Sequence, residues 1–521
     1  MAMLNLRSTR TRRLAHTGVA LAALIALGDA AAGALHAQVE RAAQHNFPEY
    51  FDALGIPNVA TQAADIQRNA GFFVRAFERR GFKARLVTNP AGRPVVLAEV
   101  IAQPGRPTVL FYLHYDGQPV VPTEWLQADP FAPVVRRRTA AGAWEDVAAS
   151  ALQSRPLDPE LRVFARSAAD DKAPILMLLT AFDVLAARAE APAFNVKVML
   201  DGEEEASSPS LAATVASDRA AFAADALVIL DGPKHESGRS TVVFGNRGIT
   251  QASLTVFGAR APLHSGHYGN YAPNPALRLA ALLASMKDED GRVLIPGYYD
   301  GVNITAADRI AFAEVGDDEA ALRARIGIAR ADGVGKSYQE ALQYPSLNVR
   351  GMAAGGVGAV ATNTVPSQAV AEIDMRTTPE TDGRHLFALV RAHIERSGYH
   401  LVDREPTDAE RAKFDKLASF TLGPVTAAAR MPMDSAIAGW AGLALRSPTA
   451  PQPGTQPVRI RMMGATVPTD VLLEALHLPF VLVPTVNADN NQHAANENLR
   501  IGDFVAGTET IYSLLTTPYP R

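Results

Sequence analysis

Apolar runs and amphipathic stretches alternate along the first half of the chain. Residues 63–80 place apolar side chains at helical spacing and end at Gly81, which predicts a surface helix. Short apolar runs typical of buried strands follow at 93–100, 107–114, 194–200 and 225–230, with a long helical stretch at 173–191. Buried strands separated by helices predict an α/β domain with a mainly parallel sheet.

The pattern changes near residue 250, where apolar and polar positions begin to alternate within the strands. Strands are predicted at 249–258 and 369–376, and helices at 275–286 and 383–398. Alternation indicates a sheet with one exposed face, so we expect an inserted α+β domain at 250–430. The α/β pattern resumes with a strand at 478–486 and a closing helix at 500–515, so the first domain is predicted to comprise 38–249 and 431–521.

The first 37 residues have the pattern of an export signal. Four arginines between positions 7 and 13 precede an apolar stretch that ends in small residues, with no acidic residue before Asp29. This arrangement predicts a secretory signal peptide cleaved after Ala37, and a periplasmic or secreted mature protein with no membrane segment. A packed N-terminal helix is the alternative.

Composition narrows the chemistry. The chain has 521 residues, of which 48% are hydrophobic, and a formal net charge of -4, as expected for a globular protein with a large core and no nucleic-acid partner. It contains no cysteine, which excludes disulfides, thiolate metal ligands and a cysteine nucleophile. A metal site must therefore be built from histidine, aspartate and glutamate.

Side chains of these types lie in five segments, and those in three of the segments, at 114–116, 201–205 and 231, lie at or directly after the end of a predicted strand. His114 and Asp116 lie in "LHYDGQP", Asp170 and Asp171 in "ADDK", and three glutamates in "DGEEEASS", while Asp231 and His493 lie in "ILDGP" and "QHAANE". Sites in open α/β sheets form beyond the carboxyl ends of the strands. Imidazole with carboxylate suits two divalent ions that share a bridging carboxylate; zinc is expected, with manganese or cobalt as alternatives.

Seven motifs in the same order resemble the M20 family of metallopeptidases, which includes carnosinase-like dipeptidases, glutamate carboxypeptidases and aminoacylases. They are "HYDGQP", "ADDK", "GEEE", "ILDGP", "LHSGHYGNYAPNP", "NTVP" followed by "IDMR", and "QHAANE". The resemblance spans nearly the whole mature chain. It implies a metal-binding catalytic domain and an inserted lid and dimerisation domain.

The resemblance also assigns roles to the candidate residues. His114 and Asp231 would hold one metal, Glu205 and His493 the other, and Asp170 would bridge them. Glu204 would be the general base that takes a proton from the attacking water, and Asp116 would orient His114. This assignment depends on register, since a shift of one residue in "GEEE" would exchange base and ligand.

Four residues of the inserted domain match substrate-binding positions of the family. His264 would reach the active site of a partner subunit and stabilise the tetrahedral intermediate, which implies a homodimer. Thr364 and Arg376 would bind the substrate's carboxylate end, and the turn around Gly464 would approach the same group through its backbone.

These features predict dinuclear hydrolysis of amide bonds in short peptides with a free carboxylate end. An N-acyl amino acid amidohydrolase of the aminoacylase type is the alternative, and a non-catalytic binding protein of the same fold is a third reading, against which Glu204 and the five ligands argue. The sequence departs from the family pattern at Ala165, Ala173 and "ASS" after the glutamates, where glycine is usual. Loss of glycine matters where the backbone φ is positive.

Overall fold

The computed structural model describes residues 33–88, 93–101 and 103–520, which fold into two compact units. The first comprises the described residues up to Val242, together with Pro432–Val458 and the chain from Val471 onward. The second comprises Val243–Met431 and Arg459–Asp470. Within the described residues, no helix has both the length and the apolar character needed to cross a membrane.

The second unit begins at Val243 and ends its first segment at Met431, whereas the predicted inserted domain spans 250–430, and the larger difference is a second segment. Residues 459–470 belong to the second unit, although the sequence pattern places them in the first domain. Backbone and side-chain bonds explain the difference, because Met463 N donates to Gly245 O at 2.8 Å and the Thr469 hydroxyl donates to Asn246 Oδ1 at 2.7 Å.

The first unit is built on an eight-stranded sheet with the order β1-β2-β7-β3-β8-β20-β9-β19. The central strands β7, β3, β8 and β20 run parallel, whereas β2 is antiparallel to β7 and β1 to β2. The strands, numbered along the chain, are β1 Lys83–Val87, β2 Val95–Val100, β3 Thr108–His114, β7 Asn195–Asp201, β8 Ala226–Ile229, β9 Thr241–Val243, β19 Val458–Ile460 and β20 Phe480–Leu482. The last residue of β9 and the last two of β19 belong to the second unit.

A second sheet in this unit has the order β21-β6-β4-β5. Its strands are β4 Val134–Arg138, β5 Trp144–Val147, β6 Arg162–Phe164 and β21 Asn498–Arg500. The helices of the unit are α1 (33–54), α2 Ala63–Glu78, α3 Lys172–Ala187, α4 Leu211–Ser217, α5 Arg219–Phe222, α13 Ala436–Ala444, α14 Thr469–Leu476, whose first two residues belong to the second unit, and α15 Ile501–Thr516.

Continuous apolar sequence explains the core of the first unit. All seven residues of β7 and all four of β8 are buried, as strands covered on both faces require. The helices α3 and α15 pack against each other and are buried along most of their length. The predicted α/β class with a mainly parallel sheet is therefore confirmed, with an antiparallel edge.

The second unit has a five-stranded sheet with the order β13-β15-β11-β17-β16. Buried and partly exposed residues alternate along β11 and β15, and α7 and α11 pack on the sheet, as the predicted α+β pattern requires. Its strands are β10 Gly245–Asn246, β11 Gly248–Phe257, β12 Leu263–His264, β13 Ser346–Ala353, β14 Thr364–Val365, β15 Gln368–Thr377, β16 His400–Leu401, β17 Leu417–Thr426 and β18 Ala429–Arg430. Its helices are α6 Ser265–Tyr268, α7 Pro275–Ala284, α8 Ala306–Val315, α9 Glu319–Ile326, α10 Tyr338–Ala341, α11 Gly383–Arg396 and α12 Asp408–Lys413.

Most of the predicted signal peptide lies outside the described residues. Residues 33–37 are described and form the start of α1. Leu35 is buried there, and His36 Nδ1 lies 2.7 Å from Glu509 Oε1.

Candidate metal centre

Three neighbouring parallel strands end at the centre. His114 is the last residue of β3, the glutamates follow the end of β7, and Asp231 lies two residues after β8. Because β3 pairs with both β7 and β8 in parallel, their carboxyl ends meet at one edge of the sheet. The topology thus explains why residues from separate segments lie together.

Asp170 and His493 reach the same point from loops. Asp170 lies two residues before α3, and His493 lies between β20 and β21 with a positive φ of 61°. His493 is the more open of the two, with 53% of its side chain exposed, whereas Asp170 is buried.

The five predicted metal ligands form two groups that share Asp170: His114 with Asp170 and Asp231, and Asp170 with Glu205 and His493. Within the first group, His114 Nε2 lies 2.9 Å from Asp170 Oδ1 and 4.0 Å from Asp231 Oδ2. Within the second, His493 Nε2 lies 3.1 Å from Asp170 Oδ2 and 3.1 Å from Glu205 Oε2. Each oxygen of Asp170 therefore faces a different histidine.

The carboxylates of the centre are buried and close together, so positive charge would stabilise their ionised forms. Burial and the nearby Asp170 raise the pKa of Asp231 to about 7. Hydrogen bonds to Asp170 and Glu205 raise the pKa of His493 to about 11, so the carboxylates hold a proton on it strongly. Nitrogen and oxygen donors around buried carboxylates fit divalent metal ions, which would neutralise these charges.

Asp116 couples the first histidine to the glutamate run. It is fully buried, and its Oδ1 lies 3.3 Å from His114 Nδ1. Its carboxylate also accepts from the backbone N–H of Glu204 at 3.1 Å and of Glu205 at 3.0 Å. One side chain thus holds both the imidazole and the turn that carries the two glutamates.

The three glutamates have separate surroundings. Glu205 joins the second ligand group and accepts from Gln118 Nε2 at 2.7 Å. Glu203 turns away, because it accepts from Ser210 N at 3.0 Å and lies 3.3 Å from Arg93 NH1. Glu204 belongs to neither ligand group. Burial raises the pKa of Glu204 well above the usual range; the charges of Asp231 and Glu205 act in the same direction, and the opposing effect of His114 is smaller. A carboxyl group with a raised pKa can accept a proton and return it near neutral pH.

The four predicted substrate-binding residues all belong to the second unit, where they form two pairs. His264 of β12 and Thr364 of β14 are register partners, and both are exposed. Arg376 NH1 donates to Thr466 Oγ1 at 2.8 Å, which places it against the turn that contains Gly464. The roles of these four residues in substrate binding remain predictions.

Glu497 supports the loop that carries Asp170, and the sequence reasoning did not single it out. Its carboxylate accepts from the backbone N–H groups of Ser167, Ala169 and Asp170 at 2.8 to 2.9 Å. Arg166 NH1 also donates to it at 2.8 Å, and both side chains are buried. The only sequence signal was its place four residues after His493 in "QHAANE".

The positions that lack a family glycine fall into two classes. Ala165 and Ala173 have no positive φ, so alanine fits both without backbone strain. Ser207 and Ser208 have φ values of 68° and 45°, a region that favours glycine. The Ser208 hydroxyl donates to Asp201 Oδ2 at 2.6 Å, and this hydrogen bond offsets part of the free-energy cost of the positive φ at Ser208.

Comparison with known proteins agrees with the motifs. Residues 244–401 match the protein family described as the M20 peptidase dimerisation domain. The chain is 26% identical to human Beta-Ala-His dipeptidase over 424 residues, which is 80% of this chain and 76% of that protein. It is 24% identical to the Cys-Gly metallodipeptidase of Saccharomyces cerevisiae over 427 residues, which is 81% of each chain. The crystal structure of an M20 family metallo-carboxypeptidase from Sulfolobus solfataricus superposes with a TM-score of 0.72 at 25% identity, covering 90% of this chain and 98% of that one.

Proposed function

Because the chain belongs to the M20 family of metallopeptidases and is a metal-dependent peptide hydrolase, we propose that it cleaves dipeptides and other short peptides with a free carboxylate end. The observation that carries this proposal is the position of Asp170. Its Oδ1 lies 2.9 Å from His114 and its Oδ2 3.1 Å from His493, as expected of a carboxylate between two cation sites. Relatives named as dipeptidases that align over about four-fifths of this chain support the choice of substrate.

Five side chains would hold the ions: His114, Asp170, Glu205, Asp231 and His493. When bound, two divalent ions, for which we propose zinc, would polarise the scissile carbonyl and lower the pKa of the attacking water. Glu204 takes the proton from that water and passes it to the leaving amine. Asp116 keeps both His114 and the Glu204 backbone in place during this transfer.

The experiment that tests the mechanism is Glu204→Gln in the metal-loaded protein, assayed on a panel of dipeptides and N-acyl amino acids. We expect turnover to fall by roughly a hundredfold or more because the base is lost. Metal content, measured by elemental analysis, should stay unchanged because Glu204 belongs to neither ligand group. Turnover that matches the unsubstituted protein would exclude Glu204 as the base, and a panel cleaved only at N-acyl groups would exclude the peptidase assignment.

We further propose a homodimer in which His264 acts on the partner subunit's substrate. The matched dimerisation domain and the exposed His264 support this proposal. Mixing inactive Glu204→Gln with weakened His264→Ala, under conditions that exchange subunits, should restore about a quarter of the original activity, since half of the dimers are mixed and each has one intact site. If His264 acts within its own subunit, the mixture stays at the average of the two variants.

Export is also a proposal, supported by the arginine-rich, apolar N-terminal sequence. N-terminal sequencing of the protein from the producing cells should then begin at Gln38. Recovery of the uncleaved chain from the cytoplasm alone would contradict it.

A further inference from the structure

A cavity of about 910 Å³ lies within the second unit, formed mainly by α9, α10 and the residues between α9 and β13. This volume is within the range of roughly 300–1,000 Å³ that small-molecule sites occupy. Its lining residues include the apolar side chains of Leu322, Ile326, Leu342 and Leu347. An apolar body of modest size would be removed from water there.

Cations outnumber acids around this cavity. The lining acids are Glu319 and Asp332, and the lining cations are Arg247, Lys287, Arg323, Arg325, Arg330 and Lys336.

Ion pairs engage several of the cations. Lys287 lies 3.6 Å from Asp332, and Arg323 lies 3.7 Å from Glu319. Arg330 lies 3.0 Å from Asp290 outside the cavity. The acids that line the cavity are therefore already occupied.

Arg247 differs from the three paired cations because it is buried and, among the described residues, has no carboxylate partner. Its side chain lines the cavity with 7% exposure, and NH2 donates to the carbonyl oxygen of Tyr344 at 2.6 Å. Within the part of the chain that the structure describes, its Nε–H has no hydrogen-bond partner and no carboxylate forms an ion pair with it.

The buried guanidinium remains a cation at neutral pH. Burial and the nearby Arg376 lower the pKa of Arg247 only to about 10. Asp374 raises this pKa in the opposite sense but forms no ion pair with Arg247, and a guanidinium removed from water without a paired anion is destabilising. An anion in the cavity would offset that destabilisation.

We propose that this cavity binds a small organic carboxylate with an apolar body, its carboxylate on Arg247 and its apolar part against Leu322, Ile326 and Leu347. The planar guanidinium suits a carboxylate, and the apolar lining side chains favour an organic anion over free phosphate. The inference does not depend on the proposed peptidase activity, because no proposed metal ligand, base or substrate-binding residue lines the cavity.

Calorimetry on the full-length, metal-loaded protein tests the proposal with 4-phenylbutyrate and its neutral amide, 4-phenylbutanamide, as probes. The acid should bind at least roughly tenfold more tightly than the amide, since only the acid forms a charge-assisted hydrogen bond. Hydrogen exchange with the acid bound should slow within residues 319–347. Equal binding of acid and amide, no binding of either, or protection only elsewhere would overturn the proposal.

Variants identify the cation. Arg247→Met should remove the preference for the acid, whereas Arg330→Met, which changes an exposed cation of the same cavity, should leave it within about twofold. Arg247→Lys keeps the charge and should retain part of the preference, and it serves as the test if the methionine variant does not fold. Inorganic phosphate that competes as strongly as the acid would show that the apolar body is not recognised, and would overturn the assigned ligand class.

Discussion

Glu497→Gln tests whether a buried carboxylate holds the loop that carries Asp170. In the wild-type protein Oε1 accepts from Ala169 N and Asp170 N, while Oε2 accepts from Ser167 N and Arg166 NH1. Glutamine keeps one accepting oxygen, so it can preserve the first pair of bonds. Its NH₂ group then faces two donors, and Arg166 is left as a buried cation without a counter-charge.

The magnitude follows from what the substitution leaves behind. Burial raises the pKa of Glu497 to about 7, despite the attraction of Arg166 and of the backbone N–H groups, so ionisation of this carboxyl lowers the stability of the folded state as the pH rises from about 4.5 to about 7. Breaking a buried pair by removing one partner nevertheless costs about 3–5 kcal/mol, because the remaining charge is uncompensated. We expect a loss of that size in the free energy of unfolding of the first unit at pH 8.

Denaturant unfolding monitored in the first unit measures the loss, and Glu160→Gln provides the matched control. Glu160 also pairs with an arginine, Arg500, at 3.2 Å, but 66% of its side chain is exposed, so its loss should cost about 0–1 kcal/mol. Metal affinity should fall by about 10- to 100-fold in Glu497→Gln, since the loop behind a ligand is loosened. A cost no larger than that of Glu160→Gln, with unchanged metal affinity, would refute the reasoning.

Two further predictions concern Arg376 and Glu49. Arg376→Ala should raise KM for dipeptides by roughly tenfold because a charge-assisted hydrogen bond is lost, and it should change KM little for C-terminally amidated peptides. Arg350→Ala, which removes an exposed ion pair on β13, should change neither KM value. An equal rise in KM for amidated peptides would contradict the role of Arg376. Burial opposes ionisation of Glu49, but hydrogen bonds from Arg80 and Arg79 outweigh it and lower its pKa below 4.5. The stability that the Glu49 carboxylate contributes is therefore present above pH 4.5 and is lost as the pH falls through the lower folded-state pKa. Glu49→Gln should lower the free energy of unfolding by about 1 kcal/mol at neutral pH, and this difference should disappear in acid. A difference that grows in acid would contradict the assignment.

The metal ligands that follow strand ends could be predicted from the sequence. An apolar run predicts a buried strand, and parallel neighbours bring their carboxyl ends to one edge. His114, Glu205 and Asp231 follow from that rule. Asp170 and His493 lie in loops, and only the order of the family motifs pointed to them.

The second sheet of the first unit could not be predicted in the same way. Its strand β4 has the sequence "VVRRR", which reads as a polar surface segment. Arg136 is nevertheless buried, because it pairs with Asp146 at 2.7 Å and its guanidinium lies 4.8 Å from the centre of the Phe164 ring. Such burial depends on partners from other strands, which local periodicity does not reveal.

The glutamate run shows how backbone conformation separates neighbouring side chains of one type. The Glu203 side chain accepts a hydrogen bond from Ser210 N. The Asp116 carboxylate accepts from the backbone N–H groups of Glu204 and Glu205, and the backbone then enters the left-handed region at Ser207. That conformation costs a residue other than glycine about 1–2 kcal/mol. The turn is held because its N–H groups and the Ser208 hydroxyl bond to buried carboxylates, so the register that separates Glu204 from Glu205 is set by Asp116 and Asp201 rather than by a glycine.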